Sequence, residues 1–132
     1  LSITGSKVKD PKAMHEEVGM LIQAYPGKQI VFSEIGYPSS ALLESSGAKQ
    51  REFIREVFNL WDKNSDRIPS MTFTWLTDLP SSSVEEFVGY YGIGNDKFRE
   101  YLRTLGLRTY DGSGQDKQAF RALKAEAKAR GW

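Results

Sequence analysis

Glu34 is the first residue in this sequence whose type and setting could do chemistry. It closes the run Gln29-Ile-Val-Phe-Ser-Glu34 and is followed at once by Ile35, Gly36, Tyr37 and Pro38. Ile30 to Phe32 has the length and β-branched content of a strand buried on both faces. A carboxylate then stands where that strand opens into a loop. In parallel α/β folds this C-terminal edge is where ligands bind and reactions occur. Partial desolvation there lets the neighbours decide the charge and role of the carboxylate. The same position equally suits a glutamate that caps the next helix or pairs with an arginine, and position alone leaves both readings open.

Trp75 is the second candidate. It ends the apolar run Met71-Thr-Phe-Thr-Trp75, so in a parallel pair it shares a rim with Glu34. An indole there can stack on the apolar face of a sugar ring with a large rigid surface. The alternative is a core aromatic at the end of the strand. Asp78, just beyond Trp75, and Tyr37, just beyond Glu34, would face the same mouth; turn formation and loop packing are their competing roles. Ser33, next to Glu34, completes the expected set of substrate contacts.

The elements around these residues read as an α/β alternation. Residues 1 to 9 are polar and unpatterned. Asp10-Pro11 is a helix start, and Met14, Val18, Leu21, Ile22 and Tyr25 form one apolar stripe before Pro26-Gly27 ends it. The strand at Ile30–Ser33 follows. After a loop from Tyr37 to Gly47, the Ser45-Ser46-Gly47 cluster caps a helix over about Ala48 to Lys63, with Phe53, Ile54, Val57, Phe58 and Trp61 on one face. A turn at Ser65-Asp66-Arg67 leads to a strand from Ile68 to Leu76, with Pro69 near its start where a missing amide is tolerable. The two strands and the helix between them predict a βαβ unit, parallel with a right-handed crossover. Thr77 to Tyr91 reads as a long loop with one short helical turn in Val84–Tyr91. Helices are expected over Asp96–Leu105 and Gln115–Arg130, the latter burying Ala119, Phe120, Leu123 and Ala127.

Composition narrows the function classes. The chain has 132 residues, 39% hydrophobic and 27% charged, which fits one domain with a core of its own. A formal charge of +1 gives no general attraction to nucleic acid or to an acidic membrane surface. No apolar run approaches the ~20 residues a membrane helix needs. There is no cysteine, hence neither a disulfide framework nor thiolate chemistry, and with a single histidine, His15, a zinc site is not expected. Asp62-Lys-Asn64-Ser-Asp66 resembles the opening of a calcium loop, but Arg67 stands where the glycine belongs and Phe73 where the bidentate Glu belongs, so it reads as a helix-ending turn. Gly92-Ile-Gly94 and Gly112-Ser-Gly114 lack the third glycine of a phosphate cradle. No Gly-x-Ser-x-Gly accompanies His15 to suggest a triad. Lys117, Arg121, Lys124, Lys128 and Arg130 spread around the last helix as a solvated face. Neither cofactor nor metal is expected.

Two parallel strands with three or four helices leave bare sheet edges, and parallel sheets are normally covered on both faces. The expectation is therefore part of a larger sheet or barrel. Ile30-Val-Phe-Ser-Glu34-Ile-Gly36-Tyr37-Pro38 resembles the seventh strand of the (β/α)8-barrel glycoside hydrolases that retain anomeric configuration, the clan of cellulases, β-mannanases and endo-galactanases. Thr72-Phe-Thr-Trp75 is similar to that clan's eighth strand, whose tryptophan floors a sugar subsite. Leu105-Gly-Leu-Arg108-Thr-Tyr-Asp-Gly112 and the following Lys117-Gln-Ala119-Phe120 look like the exit from such barrels.

The resemblance implies an α/β fold that is the C-terminal fragment of a TIM barrel: the last two parallel strands with their helices, residues 1–132 forming a single unit. It implies Glu34 as nucleophile and Trp75, Tyr37, Asp78 and Ser33 as substrate contacts, on a β-linked polysaccharide or oligosaccharide. The clan's acid/base Glu follows an Asn on strand four, and no Asn-Glu pair occurs here. A full barrel takes ~250 residues, about twice this length. The missing carboxylate is thus expected from a preceding N-terminal segment, and the chain alone is expected to be inactive. Localisation outside the cell follows from the resemblance only; the chain begins at Leu1 and shows no targeting segment to read. The competing expectations are a non-catalytic carbohydrate-binding or scaffold domain, and an unrelated small α/β domain in which Glu34 is structural.

Overall fold

The computed structural model describes residues 7–132, and the start of the expected N-terminal loop, residues 1–6, lies outside the described residues. Helix α1 (Ala13–Ala24) leads into strand β1 (Val31–Ile35). A single 3-10 turn at Ala41–Leu43 precedes helix α2 (Gly47–Asn64), which returns the chain to strand β2 (Ser70–Phe73). Helices α3 (Ser81–Tyr91), α4 (Asp96–Thr104) and α5 (Gln118–Ala129) follow. The chain is a mixed α/β unit of five helices and a two-stranded parallel sheet, β1 beside β2. No helix is long and apolar enough among the described residues to cross a membrane.

Local chemistry accounts for most boundaries. Asp10-Pro11 makes a turn rather than the first turn of α1: Asp10 Oδ1 accepts from the Lys12 amide at 2.8 Å, and the helix starts at Ala13. Ser46, inside the expected serine cluster, caps α2 by accepting from the Lys49 amide at 3.2 Å. Strand β2 is shorter than Ile68–Leu76, since only Ser70–Phe73 pairs regularly with β1.

The stretch expected to be a long loop is instead the three-turn helix α3. Pro80 precedes its first turn, Ser81–Ser83 fill that turn, and Val84, Phe87, Val88 and Tyr91 recur at helical spacing behind them. Gly92 ends it with φ of +66°, the left-handed conformation glycine adopts without a Cβ penalty. Val84 meets Phe98 and Leu102 of α4, so α3 and α4 form a helical hairpin with its own core, against which Trp75, Leu79 and Phe87 pack.

Two other clusters hold the α/β part. Ile54 and Phe58 of α2 pack with Leu107 and with Ala119 and Ala122 of α5, and Phe73 of β2 lies against them. Val18 of α1 and Leu60 of α2 enclose Ile68, with Phe32 and Met71 from the two strands beside them. The sheet is therefore covered on one face only. Register partners share a face: Phe32 with Met71 and Ile35 with Phe73 lie toward the helices, while Val31 with Ser70 lies on the other side. Val31 is 62% exposed, and Ser33, Glu34, Ser70 and Thr72 are exposed too. The expectation of a strand buried on both faces is thus corrected: β1 is open on one face because no described element packs there, and among the described residues the pair has no third strand on either edge.

Candidate functional site

Strand β1 carries one more residue than β2 between two pairs of register partners. Phe32 pairs with Met71 and Ile35 with Phe73, so Ser33 and Glu34 together oppose Thr72 alone. This bulge interrupts the simple alternation of the strand at Ser33 and Glu34. Glu34 ends up exposed, one residue before the end of the strand. Beyond it the backbone passes close to its neighbours. A Cβ on Gly36 would come within 2.6 Å of the Thr74 carbonyl oxygen and 2.9 Å of Leu105 Cδ1, so only glycine fits this approach. The Thr74 amide donates to the Ile35 carbonyl at 2.8 Å, which extends the pairing to the strand ends. The Thr74–Trp75 peptide bond is cis.

Glu34 and Trp75 line one cavity of about 360 Å³. Part of its lining is the α3–α4 hairpin, with Phe87, Tyr91 and Tyr101, and part is the helix side of the sheet, with Phe32, Met71 and Leu60. Trp75 packs against Phe87 with ring centroids 5.4 Å apart. Burial raises the Tyr101 pKa above its ordinary value of 10.0, and the charge of Glu34 raises it further, which places that phenol within electrostatic reach of the carboxylate. Glu34 itself makes no hydrogen bond or ion pair among the described residues. The other carboxylate lining the cavity, Glu17, is engaged by Lys9.

The remaining expected contacts lie elsewhere. Ser33 is exposed on the bulge and does not line the cavity. Tyr37 is 6% exposed; its ring stacks on Phe53 with centroids 5.2 Å apart, and its hydroxyl donates to the Lys9 carbonyl at 2.6 Å. Burial, then the nearby charges of Asp10 and Glu52, push its pKa up to about 12. Asp78 accepts from Lys117 Nζ at 2.9 Å, and the same ammonium donates to the Thr104 carbonyl at 3.0 Å. Burial raises the Asp78 pKa above its ordinary value, and the bond to Lys117 offsets this only in part. Tyr37 and Asp78 thus do packing and tethering work behind the rim.

Lys117 also corrects the view of the last helix as a purely solvated face. It stands at the start of α5 with little exposure, and Arg130 at the other end is held by Asp62 at 2.5 Å and Glu126 at 2.8 Å, its guanidinium 4.7 Å from the centre of the Phe58 ring. Asp62 lies within α2 and serves that ion pair, not a calcium loop. His15 bonds Glu56 at 2.7 Å and joins α1 to α2. Among the described residues no group of three or more potential metal-binding side chains comes together.

Gln50 had no expected role. Buried in α2, it donates from Nε2 to the Tyr37 carbonyl at 2.8 Å and the Gly106 carbonyl at 3.0 Å, tying the loop after β1 to the loop before α5. No motif announces such a residue; a polar side chain one turn ahead of Phe53-Ile54 on an otherwise amphipathic helix is its only trace. Phe87, Tyr91 and Tyr101 left a clearer one, since all three fall on apolar stripes at helical spacing. No protein-family model matches the chain, and neither does any curated protein or solved structure.

Proposed function

We propose that this chain is the C-terminal part of a retaining (β/α)8-barrel glycoside hydrolase acting on β-linked polysaccharides or oligosaccharides. The observation that carries the reading is that Glu34 and Trp75, at the same ends of two adjacent parallel strands, open into one cavity. The open sheet face and, among the described residues, the unpaired edges of β1 and β2 support it: they are where the remaining strands of a barrel would pair and pack.

In this reading the sugar lies with its apolar face on Trp75 and its anomeric carbon at Glu34. A Glu34 carboxylate oxygen attacks that carbon, forming a glycosyl-enzyme ester as the bond to the leaving oxygen breaks. A second carboxyl about 5 Å away protonates that oxygen, then takes a proton from the water that hydrolyses the ester. Glu17 is bound to Lys9, so the acid/base group is assigned to the preceding barrel segment, the partner this chain needs. Extracellular localisation belongs to the same proposal.

The lack of a second free carboxylate in the cavity among the described residues is also what a non-catalytic carbohydrate-binding domain would show, and this is the competing reading. Both are tested by Glu34→Gln in a protein that carries the upstream sequence. Turnover of β-glycans should fall by at least about a thousandfold, ~4 kcal/mol of barrier, while sugar binding survives. Undiminished turnover removes Glu34 from the mechanism; binding without turnover in the unaltered protein favours the binding domain.

A further inference from the structure

The aromatic surface does not stop at Trp75. Phe87 lies 5.4 Å from it, Tyr91 stacks on Phe87 at 6.2 Å with the planes only 14° apart, and Tyr90 meets Tyr91 edge-on at 5.0 Å. Along this row the rings emerge from the protein: Phe87 is half-buried, Tyr91 is 51% exposed and Tyr90 82% exposed. Tyr91 lines the same cavity as Glu34 and Trp75, so the row begins at the strand ends and runs outward along α3. The hydroxyls of Tyr90 and Tyr91 make no hydrogen bond among the described residues. Core packing of the hairpin explains Phe87 and the inner edge of Tyr91, which meets Phe98 at 5.9 Å. It does not explain why Tyr91, which lines the cavity, and Tyr90 beside it are both held open to solvent.

We propose that Tyr91 and Tyr90 form a second sugar-binding subsite, outward from Trp75, that takes the next unit or units of a β-linked chain. The inference rests on the reading of the Glu34 cavity as a glycan site and extends that site by two residues. Phe87 stands between Trp75 and Tyr91, so a sugar on Trp75 leaves Tyr91 for its neighbour. Tyr90, 82% exposed, offers an aromatic face for the axial hydrogens of a pyranose, and Tyr91, stacked on Phe87, offers the part of its ring left in solvent.

The test measures dissociation constants of mono-, di- and tetrasaccharides from cellulose, β-mannan and β-galactan. The protein carries the upstream sequence and Glu34→Gln, which blocks hydrolysis. At least one series should bind more tightly with length. Tyr91→Ala combined with Tyr90→Ala should lower the tetrasaccharide-to-monosaccharide affinity ratio about tenfold, and Tyr91→Phe should keep most of it. Tyr90→Ala alone, at so exposed a position, leaves folding intact and should lower the ratio in the same direction. Sugars that bind with no dependence on length, or with a ratio the tyrosine variants leave unchanged, overturn the subsite while the Glu34 reading stands. Failure of every series to bind at all overturns both.

Discussion

The two faces of the sheet are made of different residues and have different needs. Toward the helices stand Phe32, Ile35, Met71 and Phe73, and around them Ile54, Phe58, Val18 and Leu60 close a core. On the other face stand Val31, Ser33, Ser70 and Thr72, small or β-branched and open to water. Phe and Met on one side, Val, Ser and Thr on the other, is a packing instruction: the helix side fills wide gaps between elements. The open side carries side chains that no described element packs against. Glu34 stands at the bulge in β1, exposed, and the cavity it lines is shared with Phe32 and Met71 of the packed side.

The comparison can be broken most directly by truncating one side chain on each side. Ile54, 1% exposed in the core on the helix face, should cost about 3 kcal/mol as Ile54→Ala. Val31→Ala in the 132-residue chain should cost under ~0.5 kcal/mol, because its side chain is already mostly in water. Urea unfolding reads both. The sharper half is to repeat Val31→Ala in a protein that includes the upstream sequence. If further strands enclose that face, the cost should rise to about 2 kcal/mol. A cost that stays near zero there would mean the face is solvent-exposed in the larger protein as well, and the barrel proposal would fail.

Next in size is the tether behind the rim. Lys117→Met leaves Asp78 largely buried without its cation and takes a donor from the Thr104 carbonyl. Both partners keep some solvent contact, so the loss should be about 2 kcal/mol, short of the figure for a fully buried pair. Lys128→Met, on the exposed side of the same helix, should change little. The pH dependence has a definite sign. Burial raises Asp78 above its ordinary value of 3.8, so the native state holds this proton more tightly than the unfolded chain. Its ionisation therefore lowers stability as pH climbs from 3.8 through the raised value. Asp62 and Asp116 are lowered by Arg130 and by Lys124, respectively, and stabilise above 3.8, losing that contribution as pH falls through their depressed values. Asp78→Asn should flatten the fall above 3.8 and leave the loss below it intact, as read from denaturation midpoints across pH.

How much of this was legible in the sequence follows from which forces act locally. The parallel βαβ unit, α2 and its serine cap were readable because strand pattern, helical stripe and cap lie within a few residues of one another. Glu34 and Trp75 could be placed on one rim because parallel strands fix which ends are neighbours. The α3–α4 hairpin was missed because a run of three serines after proline resembles loop composition, although the same residues suit a helix's first turn. Tyr37, Asp78 and Lys117 were misplaced for another reason. Their partners, the Lys9 carbonyl and each other, are far away along the chain, and no local pattern says which way a side chain at a strand end will turn. The bulge at Ser33 and Glu34 is likewise invisible, being a mismatch between two strands that the spacing within either one does not show.

Tyr37 gives the smallest effect and the finest version of the contrast, since it stands three residues from Glu34 and faces the packed side. Tyr37→Phe keeps the stacking on Phe53 and removes only the bond to the Lys9 carbonyl. That carbonyl belongs to an exposed residue and can turn to water, so the cost should be about 1 kcal/mol. The phenol titrates near 10.0 in an unfolded chain and at about 12 here, so the folded form resists ionisation. The stabilisation is complete below 10.0 and declines between 10.0 and about 12, where the unfolded chain gives up the proton first. Ultraviolet titration should therefore show a late phenolate that disappears in Tyr37→Phe while the raised titration of Tyr101 remains, and that variant should lose less stability than the unaltered chain between those two values. An ordinary titration near 10.0 would mean that Tyr37 is free at the rim after all, and would return it to the set of residues that could touch a ligand.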